Sequence, residues 1–356
     1  MSIAQHYNKI ISFEPPLIQE ENSEEFDLCY LTYYGKLTLI VEQFNHQPLD
    51  TSKSIVKNAI SKDQNHTPLQ IASFLNYPNI FLYLLTFDAN HNIQDKNLQN
   101  TWHILGYRGH TKLSGLLLNY IRYKQKMAFL EQIDKIKANS GFSNLDIVKG
   151  KLSRAVRHDE ENLKKFYDFQ NSVKELAQQL IDNFFTEIMN GLICQDNELQ
   201  TPFHLAAMSK FPLCHKFIFQ ILDFDYFNLD DSWTYFLKLF AELQTLETKI
   251  ERMNQDPRRC LRLERELKSI LGDNIIKELS DYFMECKKRL MAILINTQDN
   301  NGDSILHISA FHGDFKIVGR LVYYGGDKKL KNQKGLLPVD LAKNNFVRKV
   351  LTDLNR

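Results

Sequence analysis

Apolar residues recur in a fixed order at four places along the chain. In each set one apolar residue is followed by two more at the fourth and fifth positions after it, which is the spacing of a buried helical face. The four sets are Ile80, Leu84 and Leu85; Leu113, Leu117 and Leu118; Cys214, Ile218 and Phe219; and Ile317, Leu321 and Val322. The pattern predicts four equivalent helices.

The segments around these helices repeat along the chain. One copy, DNNGDSILHISAFHGDFKIVGRLVYYGGDKKLK, begins at Asp299, and the pattern restarts at Asn332 with NQKGLLPVDLA. Lys62 and Asp95 are separated by the same interval, and Asp196 opens a further copy. The interval is about 33 residues, and a period of this size predicts stacked copies of one supersecondary unit.

The recurring positions of these copies are those of a known repeat. TPLQIA begins at Thr67, TPFHLAA at Thr201 and SILH at Ser304, while a glycine follows at Gly109 and Gly313. These residues resemble the ankyrin repeat, with its TPLH start, its glycine between two helices and its GADVN hairpin. The resemblance implies an all-α fold, an ankyrin-repeat solenoid of helix-turn-helix repeats with short β-hairpin loops.

The two ends of the array depart from the pattern. FDLCYLTYYG, from Phe26 to Gly35, reads as a first copy without the TPLH start, and residues 332–354 read as a last copy with Asp340 at the histidine position. Terminal repeats of a solenoid are expected to be atypical. We therefore expect capping repeats at both ends.

Two insertions of similar size interrupt the array. The interval from Asp95 to Asp196 and the interval from Asp196 to Asp299 each exceed one repeat by roughly 70 residues, which is about two further periods. Two degenerate repeats per gap are an alternative, but long helical stripes without a TPLH start favour helical insertions. The predicted division is 1–22, an N-terminal extension; 23–120, repeats one to three; 121–191, insertion one; 192–227, repeat four; 228–296, insertion two; and 297–356, repeat five and the C-terminal cap.

The apolar stripes of the insertions have two interpretations. In the first, the stripes pack on one another and on the solenoid, as apolar helical faces usually do. Alternatively one stripe is an exposed seam for a partner, for which the mixed charges of LETKIERM, starting at Leu246, are a candidate.

Composition narrows the classes of protein. With 44 Lys+Arg against 43 Asp+Glu, the net charge of +1 gives no chain-wide attraction to nucleic acid, so no nucleic-acid partner is expected. No run approaches the roughly 18 apolar residues of a membrane span. The five cysteines are odd in number and widely spaced, which indicates free thiols and leads us to expect a cytoplasmic, reducing location. A cytoskeletal or other large assembly is a candidate setting there.

Catalytic chemistry is hard to find in the sequence. The chain has no phosphate-binding loop, dinucleotide fingerprint, zinc helix or nucleophile elbow. The resemblance implies that His103, His204 and His307 make structural hydrogen bonds between repeats, and a Cys–His pair is a weak alternative. Basic clusters such as Arg258-Arg259 read as solvated faces, with an anion patch as the alternative. We expect no enzyme activity, cofactor, metal or small-molecule substrate.

The resemblance also implies a protein-binding surface formed by the hairpin tips and the ends of the first helices. Several of these positions carry aromatic residues, Met or Arg, which are enriched at interface hot spots. The candidate residues are Tyr34, Phe74, Leu75, Tyr107, Arg108, Met208, Phe311, His312, Asn97 and Asn301. The alternative is that the insertions fold back and bury these residues.

Three functions follow from this interpretation. The favoured one is a non-enzymatic protein–protein interaction scaffold or structural subunit of a larger intracellular assembly, which binds partners through the ankyrin concave face and the insertions. The second is a regulatory ankyrin cofactor of transcription, since its interrupted repeats look similar to those of fungal cell-cycle transcription cofactors. The third is a secreted effector or enzyme with activity hidden in the insertions.

Overall fold

The computed structural model describes residues 27–61, 64–140, 160–209, 214–225, 231–246 and 258–353. These residues form fifteen helices and one isolated antiparallel bridge, between Gln298 and Ser304. The helices are α1 Leu28–Tyr33, α2 Leu37–Asn45, α3 Leu49–Asn58, α4 Pro68–Leu75, α5 Pro78–Thr86, α6 Thr101–Arg108, α7 Thr111–Ser140, α8 Glu160–Leu192, α9 Pro202–Met208, α10 Cys214–Asp223, α11 Asp231–Leu246, α12 Arg258–Asn296, α13 Ile305–His312, α14 Phe315–Tyr323 and α15 Asn345–Thr352.

The inner helices α4, α6, α9 and α13 each begin at a capping box. At α4, Thr67 Oγ1 accepts from the Gln70 N–H and Gln70 Oε1 accepts from the Thr67 N–H. Pro68 and Pro202 occupy the first helical positions, where no N–H is needed. The TPLH segments therefore start helices as predicted.

Three of these helices, α4, α6 and α13, end at residues in the left-handed region. Gly109 has a φ of 65° and Gly313 a φ of 82°, while Asn76 takes this position at 59°. Glycine and asparagine adopt this conformation at the lowest cost, which explains where α4, α6 and α13 stop.

The inner helices stack in the order α1, α4, α6, α9 and α13, each in contact with the next. The outer helices α5, α7, α10 and α14 pack behind them, and the middle residue of each predicted apolar row is fully buried. These residues are Leu84, Leu117, Ile218 and Leu321. Repeats on either side of an insertion are therefore direct neighbours. The predicted all-α ankyrin-repeat solenoid is confirmed.

Long helices fill both gaps, and no described residue there forms a further repeat. Helix α7 continues past the normal end of an outer helix to Ser140, and α8 returns to the solenoid. Helix α12 contains one break, at Gly272, with φ 75° and ψ 165°. Helix α8 extends to Leu192.

The insertion helices pack on one another and on the repeats. Helix α7 contacts α8, α11 and α12, α8 contacts α12, and α11 reaches back to α5. Among the described residues, the apolar stripes are therefore core, as the first interpretation predicted. Residues 247–253 of LETKIERM and residues 1–26 lie outside the described residues.

A buried arginine joins the two insertions. The Arg122 guanidinium on α7 lies 4.7 Å from the Trp233 ring centroid and 5.1 Å from that of Phe224. It also donates to the Asn119 side chain at 2.5 Å and to the Asp225 carbonyl at 3.2 Å. Since burying an unpaired charge is costly, these contacts fix α7 against the chain that follows repeat four.

Two terminal features were not predicted in full. Helix α3 follows the first repeat and buries Ser52 and Val56, although no repeat position corresponds to it. At the other end, residues 338–341 form turns where an inner helix would stand, and the Asp340 carboxylate accepts from the Leu337 N–H at 2.8 Å.

Among the described residues, no helix is long and apolar enough to cross a membrane.

Helix α8 rejoins the solenoid through a glycine. Gly191 lies against Trp102 and Asn92, and a Cβ at this position would overlap the Trp102 indole, which is fully buried. Asn100 Nδ2 donates to the Gly191 carbonyl at 2.9 Å, so the end of α8 is fixed beside the start of α6.

We expect Gly191→Ala to lower the free energy of unfolding by about 1–3 kcal/mol, because the added methyl overpacks a rigid buried site. Urea denaturation followed by circular dichroism measures this change. Gly319→Ala is the matched control, since that helical glycine has no atom within 4 Å of an added Cβ. A gain in stability for Gly191→Ala equal to that of the control would contradict the proposed packing.

Candidate functional site

The predicted binding residues lie at equivalent ends of successive inner helices. Tyr34 follows α1, and the others end α4, α6, α9 and α13. Because these helices stack in sequence, their ends form one row, which we call the inner-helix column. The column comprises Tyr34, Phe74, Leu75, Tyr107, Arg108, Met208, Phe311 and His312.

Exposure varies along the inner-helix column. Tyr34 is 45% exposed and His312 is exposed, while Phe74, Leu75, Arg108 and Phe311 are half-buried. Tyr107 and Met208 are buried, at 9% and 5%. These two side chains would contact a partner only at their edges, and the role of the whole column in binding stays a prediction.

Contacts within the column hold its side chains in place. The Arg108 guanidinium lies 4.6 Å from the Phe74 ring centroid, which joins repeats two and three. The rings of Phe311 and His312 meet edge to face at 5.5 Å, and Tyr34 lies 4.6 Å from the Tyr30 ring. Side chains held in this way lose less entropy on binding a partner.

Repeat four explains the burial in the middle of the column. Its inner helix ends at Ser209 in extended backbone, without the left-handed glycine of its neighbours. The Tyr107 carbonyl accepts from Ser209 Oγ at 2.7 Å and from Cys214 Sγ at 3.1 Å. These bonds draw repeat four close to the end of α6, an approach that local sequence patterns could not predict.

The hairpin tips are built on one acidic or amide side chain each. Its Oδ1 accepts from the backbone N–H groups two and four residues further on, at 2.8–3.0 Å. The residues with this role are Asp95, Asp196, Asp299 and Asn332. They are the positions that defined the repeat period in the sequence, so the period marks the start of each tip.

Backbone hydrogen bonds also join each tip to the next. The Asn97 carbonyl accepts from the Asn197 N–H at 3.1 Å, and the Asn301 carbonyl accepts from the Gln333 N–H at 2.9 Å. The side chain of Asn97 is exposed and that of Asn301 is half-buried. The two predicted tip residues thus have a structural role through their backbones, and their binding role stays a prediction.

Two exposed leucines at the tips were missed. Leu98 and Leu199 have φ values of 59° and 57° and are 44% and 46% exposed. Gly302 and Gly335 take the same position in later repeats. A leucine in the left-handed region costs roughly 1 kcal/mol. The sequence signal for this conformation was a leucine at the tip position where the repeat has glycine.

The three repeat histidines bridge neighbouring repeats. In each, Nδ1 accepts from the N–H of the residue three positions earlier, at 3.1–3.2 Å. Nε2 donates to a backbone carbonyl of the next repeat: His103 to Gln200 at 3.1 Å, His204 to Asp303 at 3.1 Å, and His307 to Leu336 at 3.2 Å. This arrangement requires a neutral imidazole and confirms the predicted structural role.

Gln70 makes the same bridge without an imidazole. Its Nε2 donates to the carbonyl of Gln99 at 2.8 Å, and its Oε1 accepts from the Thr67 N–H at 2.7 Å. A glutamine at this position therefore provides both hydrogen bonds. The bridge depends on donor and acceptor geometry and needs no charge.

Burial controls the protonation of these groups. It lowers the pKa of the His204 and His307 imidazoles, and it lowers the pKa of His91 to about 4. Burial also raises the pKa of the Cys214 thiol to about 11 and raises that of Cys194. Reactive cysteines have lowered pKa values, so neither thiol has the character of a nucleophile.

Among the described residues no three His, Cys, Asp or Glu side chains group as metal ligands.

Stacked helix pairs, hydrogen-bonded hairpin tips and the bridge between repeats together define an ankyrin-repeat protein. The chain is similar over short stretches to the regulatory protein SWI6: 45% identical over 55 residues in Saccharomyces cerevisiae and 47% over 49 residues in Kluyveromyces lactis. These stretches cover 15% and 14% of this chain and only 7% and 6% of the two relatives.

Among solved structures, the chain matches the ankyrin repeat domain of Bcl-3, a member of the IkappaB protein family. It is 13% identical, with a TM-score of 0.29, and the match covers 93% of this chain and all of that domain. No family model matches the chain.

We expect the stability of the protein to fall as the pH drops below about 6.5. A histidine with a lowered pKa in the folded state binds fewer protons there than in the unfolded state, so stability is complete above that pH and is lost below it. Each such group contributes a slope of up to about 1.4 kcal/mol per pH unit. Urea denaturation at pH 7.5 and pH 5.5 measures the difference.

His204→Gln is the diagnostic variant, since Gln70 already fills this position in another repeat. It should keep the bridge and remain stable at pH 7.5 within about 1 kcal/mol, the usual worth of one hydrogen bond, and it should reduce the loss at pH 5.5. An unchanged pH dependence in this variant would show that the imidazole is not responsible.

Proposed function

We propose that the protein is a non-enzymatic scaffold or structural subunit of a larger intracellular assembly, located in the cytoplasm. Its ankyrin-repeat fold is typical of proteins that bind other proteins, because a solenoid offers a long, continuous surface. The inner-helix column is the proposed primary surface. The insertion helices extend the molecule and supply further area for partners.

The observation that carries this proposal is the composition of the inner-helix column at its accessible positions. Tyr34 and His312 are exposed, and Phe74 and Phe311 are half-buried, so four rings contribute to one row of helix ends. Aromatic side chains dominate the binding energy of protein interfaces. Each of these four rings keeps exposed area that packing within the repeat array does not cover.

A second candidate is a regulatory ankyrin protein of the transcriptional type. The 45% identity to the regulatory protein SWI6 favours it, although that stretch covers 15% of this chain. The two candidates differ in what they predict for the cell. A stable stoichiometric complex in native extract favours the scaffold, and enrichment in the nucleus favours the regulator.

We expect the triple variant Tyr34→Ser, Phe74→Ser and Phe311→Ser to lose its partners. Removing aromatic anchors commonly weakens an interface by tenfold or more. Crosslinking mass spectrometry on complexes recovered from the native source measures the loss. Tyr107 is left unchanged, because its side chain is buried and its replacement would disturb the core.

The double variant Leu39→Ser and Ile60→Ser is the control. Both residues are exposed apolar side chains, at 44% and 51%, that lie outside the inner-helix column. The control should retain its partners, and both variants should keep their far-UV circular dichroism. Equal partner recovery from the triple variant and the wild type would rule out the column as the binding surface.

A further inference from the structure

An open groove lies on the outer helices of the last repeats, away from the inner-helix column. It has a volume of about 770 Å³ and lies among α10, α14 and α15. Phe219 on α10, Phe315, Val322 and Tyr323 on α14, and Val350 on α15 line it. A volume of this size falls within the usual range of binding sites.

Large apolar side chains remain exposed around this groove. Phe315 is 48% exposed, Tyr323 is 58% exposed and Phe346 is 73% exposed. The rings of Phe315 and Phe346 lie 6.2 Å apart, so α14 and α15 present one joint apolar surface. Exposed apolar patches of this kind mark interaction sites in soluble proteins.

The glycine at the floor of the groove is the most informative residue. Gly319 lies in the middle of α14, where glycine is less favourable than alanine. Two other helical glycines have internal reasons: a Cβ at Gly106 would come within 2.5 Å of the Pro202 carbonyl oxygen, and one at Gly191 would overlap Trp102. A Cβ at Gly319 meets nothing within 4 Å. Internal packing does not require this glycine, whereas close approach by another molecule would account for it.

The charges around the groove are mainly positive. Of the residues that line the groove, Lys316 and Arg320 are basic and Asp223 is acidic. Arg320 pairs with Asp223 at 3.1 Å, and the Lys288 ammonium lies 5.0 Å from the Tyr323 ring centroid. Charge complementarity therefore favours an acidic occupant.

We propose that this groove binds an acidic amphipathic helix of a partner protein, seated with its backbone over Gly319. A helix presents apolar anchors three and four residues apart with acidic residues on its flanks, which matches an apolar groove lined by more basic than acidic residues. Glycine at the crossing point permits the short end of the usual distance between helix axes, roughly 8–10 Å. This surface is separate from the inner-helix column, so the two proposals stand independently.

The experiment measures peptide binding to the full chain by fluorescence anisotropy. The probe is a fluorescein-labelled peptide of about five helical turns, with Leu and Phe at helical spacing and Glu elsewhere. Two matched peptides replace Glu with Lys or scramble the apolar positions. We expect the acidic amphipathic peptide to bind at least tenfold more tightly than either of them.

Gly319→Leu tests the site directly. The new side chain should occupy the groove and weaken binding of the acidic peptide at least tenfold. The thermal unfolding midpoint should stay equal to that of the wild type or rise, because the helix propensity of α14 improves. Gly319→Ala raises propensity with little filling and should bind more tightly than Gly319→Leu. This pair separates loss of the site from loss of the fold.

Three results would overturn the proposal. The first is failure of the acidic peptide to bind better than the other two, and the second is unchanged binding to Gly319→Leu. The third concerns the acidic N-terminal segment of this chain, through the full-length variant with Glu20, Glu21, Glu24 and Glu25 changed to Gln. If that variant binds the acidic peptide tenfold more tightly than the wild type, the groove belongs to the chain's own segment and not to a partner.

Discussion

The hydrogen bond from one inner helix to the start of the next repeat sets the order of the whole molecule. Its donor is Gln70, His103, His204 or His307. Its acceptor is the carbonyl four residues after the side chain on which the next hairpin tip is built. The donor side chain also caps its own helix, so one residue fixes both the start of a repeat and the position of its neighbour. Each repeat is therefore placed by the preceding repeat and not by the chain that connects them.

This independence from the connecting chain explains how the solenoid tolerates two long insertions. The bridge spans 29 residues between contiguous repeats, but 97 and 99 residues across the insertions, with the same geometry. Each insertion leaves after an outer helix and returns at a hairpin tip, so the inner stack stays continuous. Since loop-closure entropy grows only slowly with length, the extra residues cost little once their helices share a core. Packing among α7, α8, α11 and α12 provides that core.

The features that the sequence predicted are those whose causes lie within one repeat. The cap at Thr67, the turn at Gly109 and the tip at Asp299 each depend on residues a few positions apart, and all were placed correctly. The burial of Tyr107 and Met208 depends instead on how closely repeat four approaches α6 across an insertion. No local pattern encodes that distance. Helix α3 was not predicted because it lies outside the repeat. The exposed leucines at the tips were not predicted because only their backbone conformation distinguishes them from ordinary exposed leucines.

Departures from the repeat pattern divide into two kinds, and the difference bears on function. Gly106 and Gly191 break a helical preference, but their neighbours leave no room for a side chain, so the fold itself compensates. Leu98 and Leu199 adopt a strained conformation, but the carbonyls of both accept from the side chains of Gln94 and Gln195 within the tip. Gly319 weakens its helix above open space, and no neighbouring atom explains it. Natural sequences tend to break local rules at functional sites. An external partner is the source of compensation that we propose for Gly319. On this argument, a departure that the fold does not compensate is a better guide to a binding surface in a repeat protein than agreement with the repeat is.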